Sequence, residues 1–465
     1  MAISLVFHGT VIDSPSPERI RISENCLVLV DDNGLISAIE QDVSASTLND
    51  KIQHWKKDHE TTSNTRYFYL SRGQFLIPGF VDTHNHAPQW AQRGLGRGMQ
   101  IIDWLNEITF KNEARFADTN YARKIYSKCI DGFLQQGVTT VSYYGSLHGE
   151  ATKVLADLCL EKGQRALIGK CNMDRNGASF YEDESSAQSL AATEDLIKHI
   201  RKVDPHFALI RPIITPRFAI CCTEELMHAL GQLANQNKDV AIQTHFNEAR
   251  SEIDFTMKLF PQFSNEVDLY QHFGLLDHRS ILAHCTHMTP YEIARLKELD
   301  CGVAHCPISN TTVGGGFMVA PIREFLRQGI KVGLGTDSGG GFSSSILDAM
   351  RQAFIVSNAG EMLSQGANPS LTVDECFYLA TLGGARVCGL SEKIGDFAVG
   401  KEFDGQLIGT IDLPCSSAST MIEDDDSLRT IFEKFLMSGD DRNITDVWVR
   451  GRQVKQTKMN VHGQK

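Results

Sequence analysis

The chain has 465 residues, 42% of them hydrophobic and 22% charged, which is ordinary for a globular protein with a large core. A formal net charge of −12 and a pI near 5.7 argue against a nucleic-acid polymer or an anionic membrane surface as a partner. No run approaches the ~18 consecutive apolar residues of a membrane-spanning helix, and we expect no signal peptide. The 12 cysteines are scattered without a CxxC pair, which predicts reduced thiols and a cytoplasmic protein.

Both ends of the chain are predicted to form β-structure. Residues 1–74 contain short alternating strands, and the Asp-Asn-Gly stretch at 32–34 is typical of a hairpin turn. The polar stretch 47–65 is predicted to be a surface insertion. Residues 391–465 contain further short strands around an acidic, loop-rich stretch, with a helix predicted at 427–437. We therefore expect the two ends to build one small β-sandwich domain.

The middle of the chain, residues 75–390, alternates short apolar runs with longer amphipathic segments such as the helix predicted at 121–137. Gly137 suits the C-terminal cap of that helix. Eight such strand–helix units favour a (β/α)8 barrel, with a doubly wound open sheet as the alternative. The strands are predicted at 75–81, 139–144, 165–170, 208–213, 240–244, 280–283, 302–305 and 331–335.

Side chains that can bind a metal or carry a proton follow several of these strands at the same end. The C-terminal ends of the strands form the active-site face of such a barrel, so we expect these side chains to lie together. They are His84 and His86 after the first strand, His245 and Glu248 after the fifth, His284 after the sixth and Asp337 after the eighth.

Three imidazoles and one carboxylate, from His84, His86, His245 and Asp337, suit Zn2+ or Fe2+ and suit Ca2+ or Mg2+ poorly. Such an ion lowers the pKa of a bound water molecule from about 15.7 toward about 7, which supplies a nucleophile at neutral pH. Glu248 stands three residues beyond a ligand histidine and is predicted to shuttle the proton. The residues therefore predict a metal-dependent hydrolase, in which zinc and iron remain alternatives.

Three histidines compete for contact with the water or the substrate. His284 follows a predicted strand directly, so we assign it the catalytic part beside Glu248 and Asp337. His287 and His305 lie close by in HCTH and AHCPISN and are predicted to be supporting residues. The sequence leaves the choice among the three histidines open.

These motifs resemble the amidohydrolase superfamily and, within it, the guanine deaminase family. The first resemblance rests on PGFVDTHNH, HFNE, LAHC and GTDS, which occur in that order along the barrel region. The second rests on HAPQW, TPRFAICCTEELM, QTHFNEARSEI, AHCPISN and GLGTDSGGGFSSSILDAMRQA. The resemblance implies a homodimeric hydrolase that holds one zinc ion and deaminates guanine to xanthine in purine catabolism.

The resemblance also implies which side chains hold the purine. Gln89, Arg217 and Phe218 are expected to contact the ring, together with the metal-site residues His245, Glu248 and Asp337. Trp90 stands where relatives are expected to have tyrosine, and we predict that it narrows the pocket. Asn85, between the two first histidines, should point away from the metal.

Two other functions are consistent with the same motifs. The first is a related amidohydrolase that acts on another aminated heterocycle, such as a pterin, 8-oxoguanine or a triazine. The second is a non-catalytic relative that serves as an interaction protein. Such proteins typically lose metal ligands, and this chain has all four.

Overall fold

The computed structural model describes residues 2–58, 61–314, 318–409 and 422–456. Its strands lie in two sheets, one at the centre of the chain and one built from its two ends. In chain order the strands are β1 Ile3–Ser16, β2 Arg19–Asp31, β3 Ile36–Glu40, β4 Thr61–Tyr69, β5 Gln74–Pro78, β6 Phe80–His86, β7 Val138–Tyr144, β8 Arg165–Gly169, β9 Cys171–Asn172, β10 Ile210–Pro216, β11 Ala241–Phe246, β12 Ser280–His284, β13 Gly302–His305, β14 Lys331–Leu334, β15 Gly405–Gly409, β16 Ile444–Val449 and β17 Arg452–Gln456.

The helices mostly connect the strands of the central sheet. In chain order they are α1 Ala45–Asp58, α2 Ile101–Trp104, α3 Phe110–Glu113, α4 Thr119–Gln135, α5 Gly149–Lys162, α6 Ser186–Val203, α7 Glu224–Gln236, α8 Arg250–Leu259, α9 Glu266–His272, α10 Pro290–Glu298, α11 Pro307–Thr312, α12 Ile322–Arg327, α13 Ile346–Leu363, α14 Val373–Tyr378, α15 Gly384–Val387 and α16 Leu428–Ser438. Within the described ranges, none of them is long and apolar enough to cross a membrane.

The central sheet is a nearly closed barrel of eight parallel strands, which confirms the predicted fold. Its strands pair in the order β6, β7, β8, β10, β11, β12, β13 and β14. Hydrogen bonds connect the last strand to the first: Thr83 Oγ1 donates to Leu334 O (2.9 Å), and Asp337 N donates to His84 O (3.0 Å). The C-terminal ends of all eight strands therefore surround one mouth.

The first barrel strand differs from the predicted strand at 75–81, because the chain changes sheets at Gly79. Strand β5 pairs with β1 and β15 in the terminal sheet, whereas β6 pairs with β7 in the barrel. A Cβ on Gly79 would lie 2.2 Å from Thr139 Oγ1, so only glycine fits at this crossing. His84 and His86 consequently lie within a strand and not beyond its end. The domain boundaries at 74/75 and 390/391 stay predictions.

The two ends of the chain build one β-structure together, as predicted, and its strands lie in one mixed sheet. Its strands run in the order β17, β16, β15, β5, β1, β2 and β3, and β4 pairs with β1. The rings of Phe7, Phe403 and Trp448 pack at its centre, with Phe7 4.9 Å and 5.1 Å from the other two. The helix predicted at 427–437 is α16, and the Asp-Asn-Gly turn joins β2 to β3.

The stretch 47–65 is not simply a polar insertion. It contains most of helix α1, which buries Leu48 and Ile52 against Val6 and Leu27 of the terminal sheet. It also contains the beginning of β4, which pairs with β1. Polar residues dominate the composition of this stretch, so the helix was not predicted. The two apolar positions that face the sheet are four residues apart, which is the spacing of one helix face.

A buried ion network joins the barrel to the terminal sheet. The Arg165 guanidinium of β8 donates to Asp404 Oδ2 (3.0 Å) and to Glu402 Oε2 (2.6 Å). All three side chains are almost completely buried. Removal of one partner would leave uncompensated charge in a low-dielectric setting, so we expect this network to control stability.

Candidate active site

Four side-chain atoms from β6, β11 and the residues after β14 converge at the barrel mouth. Asp337 Oδ1 lies 3.3 Å from His84 Nε2 and 3.6 Å from His86 Nε2. The Nε2 atoms of His86 and His245 lie 3.0 Å apart. Ligand atoms around a tetrahedral ion with bonds of about 2.0–2.1 Å stand about 3.3 Å apart, so this spacing fits one small divalent ion.

The protonation states of these groups also fit metal binding. Burial lowers the pKa of His84, His86 and His245, which keeps their lone pairs free at neutral pH. Burial opposes ionisation of Asp337, but the combined effect of His84, His284 and His86 outweighs it and holds the pKa of this carboxyl well below its usual range. His245 Nδ1 donates to Arg217 O (2.6 Å), so its Nε2 faces the other ligands.

Several residues near the mouth adopt a left-handed backbone. The φ angles are +47° at Asn247, +75° at His284, +48° at Cys285 and +43° at Asp337. This conformation costs non-glycine residues about 1 kcal/mol or more each, and it is typical of functional sites. Glu266 Oε2 accepts a hydrogen bond from Asn247 N (2.9 Å) and stabilises one of these turns.

The carboxylate of Asp82 fixes the backbone of β6, the first ligand strand, through hydrogen bonds. It accepts hydrogen bonds from His84 N (3.2 Å) and Thr336 N (3.0 Å), and burial raises its pKa to about 7. Asn85 Nδ2 donates to Thr336 Oγ1 (2.9 Å), so its side chain is engaged away from the four ligand atoms, as predicted.

The predicted proton shuttle and the predicted catalytic histidine lie beside each other. His284 Nε2 is 3.6 Å from Glu248 Oε2, and His284 Nδ1 is 2.8 Å from Asn310 Oδ1. Burial raises the pKa of Glu248 to about 7. Of the three candidate histidines, His284 is the one next to the shuttle, whereas His305 lines a different cavity beside Pro321.

A cavity of about 420 Å³ opens onto this cluster. It contains most of the predicted substrate residues and an apolar wall from the segments that follow β6 and α11. Its lining residues are His86, Gln89, Ile101, Trp104, Leu105, Arg217, Phe218, His245, Glu248, Val313, Asp337 and Gly340. One space therefore joins part of the ligand cluster, the predicted shuttle and an apolar wall.

Trp90 does not line this cavity, which corrects its predicted place in the pocket. Its ring packs 5.2 Å from the ring of Phe133, and a Cβ on Gly132 would lie 2.4 Å from it. The Arg93 guanidinium lies 3.4 Å from the centre of the indole ring. Trp90 thus anchors the turn after β6 on helix α4 instead of contacting a ligand.

No sequence motif indicates Glu113, a fully buried residue of helix α3. Its carboxylate accepts from Gln89 Nε2 (2.8 Å), Arg217 Nη1 (2.8 Å) and the Tyr181 hydroxyl (2.7 Å). Glu113 lies 24 residues from Gln89 and 104 residues from Arg217, in a stretch without a recognisable motif. Only the buried charge of its partner Arg217 could have indicated that a carboxylate was required.

Residues 75–454 match the profile of the amidohydrolase family. The chain belongs to this family. It is 37% identical to the guanine deaminase of Dictyostelium discoideum over 457 residues, which cover 97% of this chain and 98% of the relative. It is 35% identical to the guanine deaminase of Homo sapiens over 455 residues, which cover 97% and 96%.

A solved amidohydrolase superposes on the chain over nearly its whole length. The crystal structure of guanine deaminase from C. acetobutylicum with bound guanine in the active site matches with a TM-score of 0.85 and 29% identity. The match covers 97% of this chain and 99% of that chain. The predicted resemblance and the predicted barrel fold are both confirmed.

Proposed function

We propose that the chain is a guanine deaminase, which converts guanine and water into xanthine and ammonia. The observation that carries the proposal is one cavity whose wall includes three of the four ligand residues, together with Glu248 and the polar pair Gln89 and Arg217; the three ligand residues are His86, His245 and Asp337. The two relatives named above are guanine deaminases, and each aligns with this chain over nearly its full length. This similarity supports guanine as the substrate.

We propose zinc as the resident ion, with iron(II) as the alternative. His84, His86, His245 and Asp337 would hold it, because their ligand atoms converge at the spacing of one tetrahedral ion. When bound, such an ion supplies an activated water molecule at neutral pH. Ca2+ and Mg2+ require sites built from oxygen ligands, so a site with three imidazoles does not suit them.

The protein groups around the open side of this cluster perform the proton transfers. Glu248 takes a proton from the water molecule and delivers it to N3 of the purine, which makes C2 electrophilic. His284 and Asp337 orient the attacking oxygen toward C2. Glu248 then passes the second water proton to the exocyclic amine, so the C2–N bond breaks and ammonia leaves. A pKa near 7 suits a group that must both accept and donate.

The wall opposite the cluster recognises the purine. Arg217 carries only donors, which suits O6 or N7 of a 6-oxopurine. Phe218, whose ring centre lies 6.0 Å from that of His245, offers an aromatic face beside the ring. Ile101 and Val313 add apolar surface and exclude water from the reacting carbon.

A purified chain loaded with one zinc ion should release xanthine and ammonia from guanine. We would compare guanine with adenine, 8-oxoguanine, a pterin and a triazine at equal concentration and measure ammonia. Preference for guanine supports the proposal. Equal or faster turnover of another ring system would move the assignment to the related-heterocycle alternative, which no feature of the cavity favours.

We also propose a homodimer in a reducing, cytoplasmic setting. All eleven cysteines in the described ranges are buried and free, which supports a reduced protein. Helix α13 exposes Ile355, Met362 and Leu363, which are apolar side chains that a second copy could cover. Light scattering of the purified protein tests the dimer directly.

A further inference from the structure

The carboxylate of Glu113 determines which atom of the Gln89 amide is available to a ligand. Glu113 forms an ion pair with the buried Arg217 guanidinium, so its oxygens act as acceptors. The only donor that the Gln89 side chain can offer is its amide nitrogen, and Gln89 Nε2 lies 2.8 Å from Glu113 Oε1. The opposite orientation would place two acceptors against each other.

The other side of the amide is constrained as well. A Cβ on Gly339 would lie 2.2 Å from Gln89 Oε1, and the φ of this glycine is +106°. The absence of a side chain at Gly339 thus leaves room for the amide oxygen. Gln89 Oε1 is buried and has no hydrogen-bond partner among the described residues. It is an acceptor held in place without a donor to satisfy it.

We infer that Glu113 is a specificity-determining residue, because it makes the cavity offer an acceptor (Gln89 Oε1) beside the donors of Arg217. A 6-oxopurine presents the complementary edge, with O6 as acceptor next to N1–H as donor. A 6-aminopurine presents the reverse edge, with an amino donor next to the lone pair of N1. Glu113 therefore selects 6-oxopurines over 6-aminopurines. This inference rests on the proposed function for the choice of purines as ligands.

Hypoxanthine and adenine test this inference, because they differ at that edge and neither carries the 2-amino group that is removed. Their binding to the zinc-loaded protein is measured by titration calorimetry. The wild-type protein should bind hypoxanthine at least about tenfold more tightly, since a mispaired buried polar group is costly. In Glu113→Gln the amide at 113 can donate or accept, so Gln89 can reverse and the ratio should fall by about tenfold.

Tyr181→Phe is the matched control. It removes one donor to Glu113 but leaves the carboxylate, Gln89 and Arg217 in place, so the hypoxanthine-to-adenine ratio should stay at the wild-type value. A ratio near one in the wild-type protein overturns the inference whether or not the variants fold. An unchanged ratio in Glu113→Gln, or an equal fall in Tyr181→Phe, also overturns it.

The outcomes separate this inference from the proposed function. A wild-type protein that prefers hypoxanthine but forms no xanthine from guanine contradicts the proposed function and leaves the role of Glu113 intact. A protein that forms xanthine yet binds both purines equally contradicts the role of Glu113 alone.

Discussion

Replacement of Glu248 by glutamine tests the proton shuttle. The two side chains have nearly the same shape, but an amide cannot exchange a proton with water or with the purine. Glu248 is buried, its pKa is raised to about 7, and its Oε2 lies 3.6 Å from His284 Nε2. Glu248 does not supply any of the four converging ligand atoms, so the Glu248→Gln replacement should not change the zinc content.

The expected loss follows from the role of the group. A positioned acid–base residue contributes about 10²–10⁴-fold to the rate. At about 1.36 kcal/mol per factor of ten, this corresponds to about 2.7–5.4 kcal/mol of transition-state stabilisation. Because the Glu248→Gln variant keeps the shape of the cavity, the loss should appear in kcat and not in KM.

The assay is steady-state formation of xanthine from guanine at pH 7, with zinc content measured on the same samples. Glu298→Gln is the control, because Glu298 lies at the exposed end of α10 and forms an ion pair with the nearby Arg295. A Glu248→Gln variant whose kcat stays within about tenfold of the wild-type value would refute the shuttle assignment.

Three further predictions concern the surroundings of the site. Arg165→Met removes the ion-pair partner of the buried Asp404 and should lower the free energy of unfolding, measured in urea, by about 3–5 kcal/mol. Arg201→Met, at an exposed ion pair, should lower it by less than about 1 kcal/mol. Equal losses in the two variants would contradict the importance of the buried network. Burial raises the pKa of Glu252 above its usual value, so the wild-type protein should lose stability as pH rises from about 4.5 toward neutrality. Glu252→Gln should reduce that loss, and an unchanged pH dependence of unfolding would contradict this. Trp90→Phe should leave the KM for guanine unchanged, and a large rise in KM would place the indole in the pocket after all.

The position of the site was predictable because it depends on a local pattern repeated along the chain. Each barrel strand is a short apolar run, and the ligand residues stand at or just beyond its C-terminal end. A parallel barrel brings all such ends to one mouth, so spacing along the sequence translates into proximity. His245, Glu248, His284 and Asp337 were therefore placed together without knowledge of any contact.

The division between the two sheets was not predictable from the same pattern. Residues on both sides of Gly79 are buried and apolar, so the sequence from 75 to 81 reads as one strand. What separates β5 from β6 is the choice of partner strand, β1 and β15 in one case and β7 in the other. These partner strands lie far away in the sequence, so residues 75–81 contain no local signal that shows which strand each half pairs with.

The residue that holds the proposed substrate-binding side chains in place was also not predictable from the sequence. Arg217 and Gln89 follow from the family resemblance, but Glu113 belongs to a short helix in an irregular connection after β6. Its importance arises from the cost of a buried, unpaired guanidinium, which becomes visible only when burial is known. Trp90 illustrates the converse, since its position in a motif suggested a ligand contact that its packing on α4 excludes.

The most direct test of the central claim is xanthine formation from guanine by metal-stripped protein as zinc is added back. We predict no turnover without metal and a linear rise that ends at one zinc ion per chain, because the proposed ligands His84, His86, His245 and Asp337 converge at one place. Full turnover in the stripped protein, or no xanthine at one zinc ion per chain, would contradict the account.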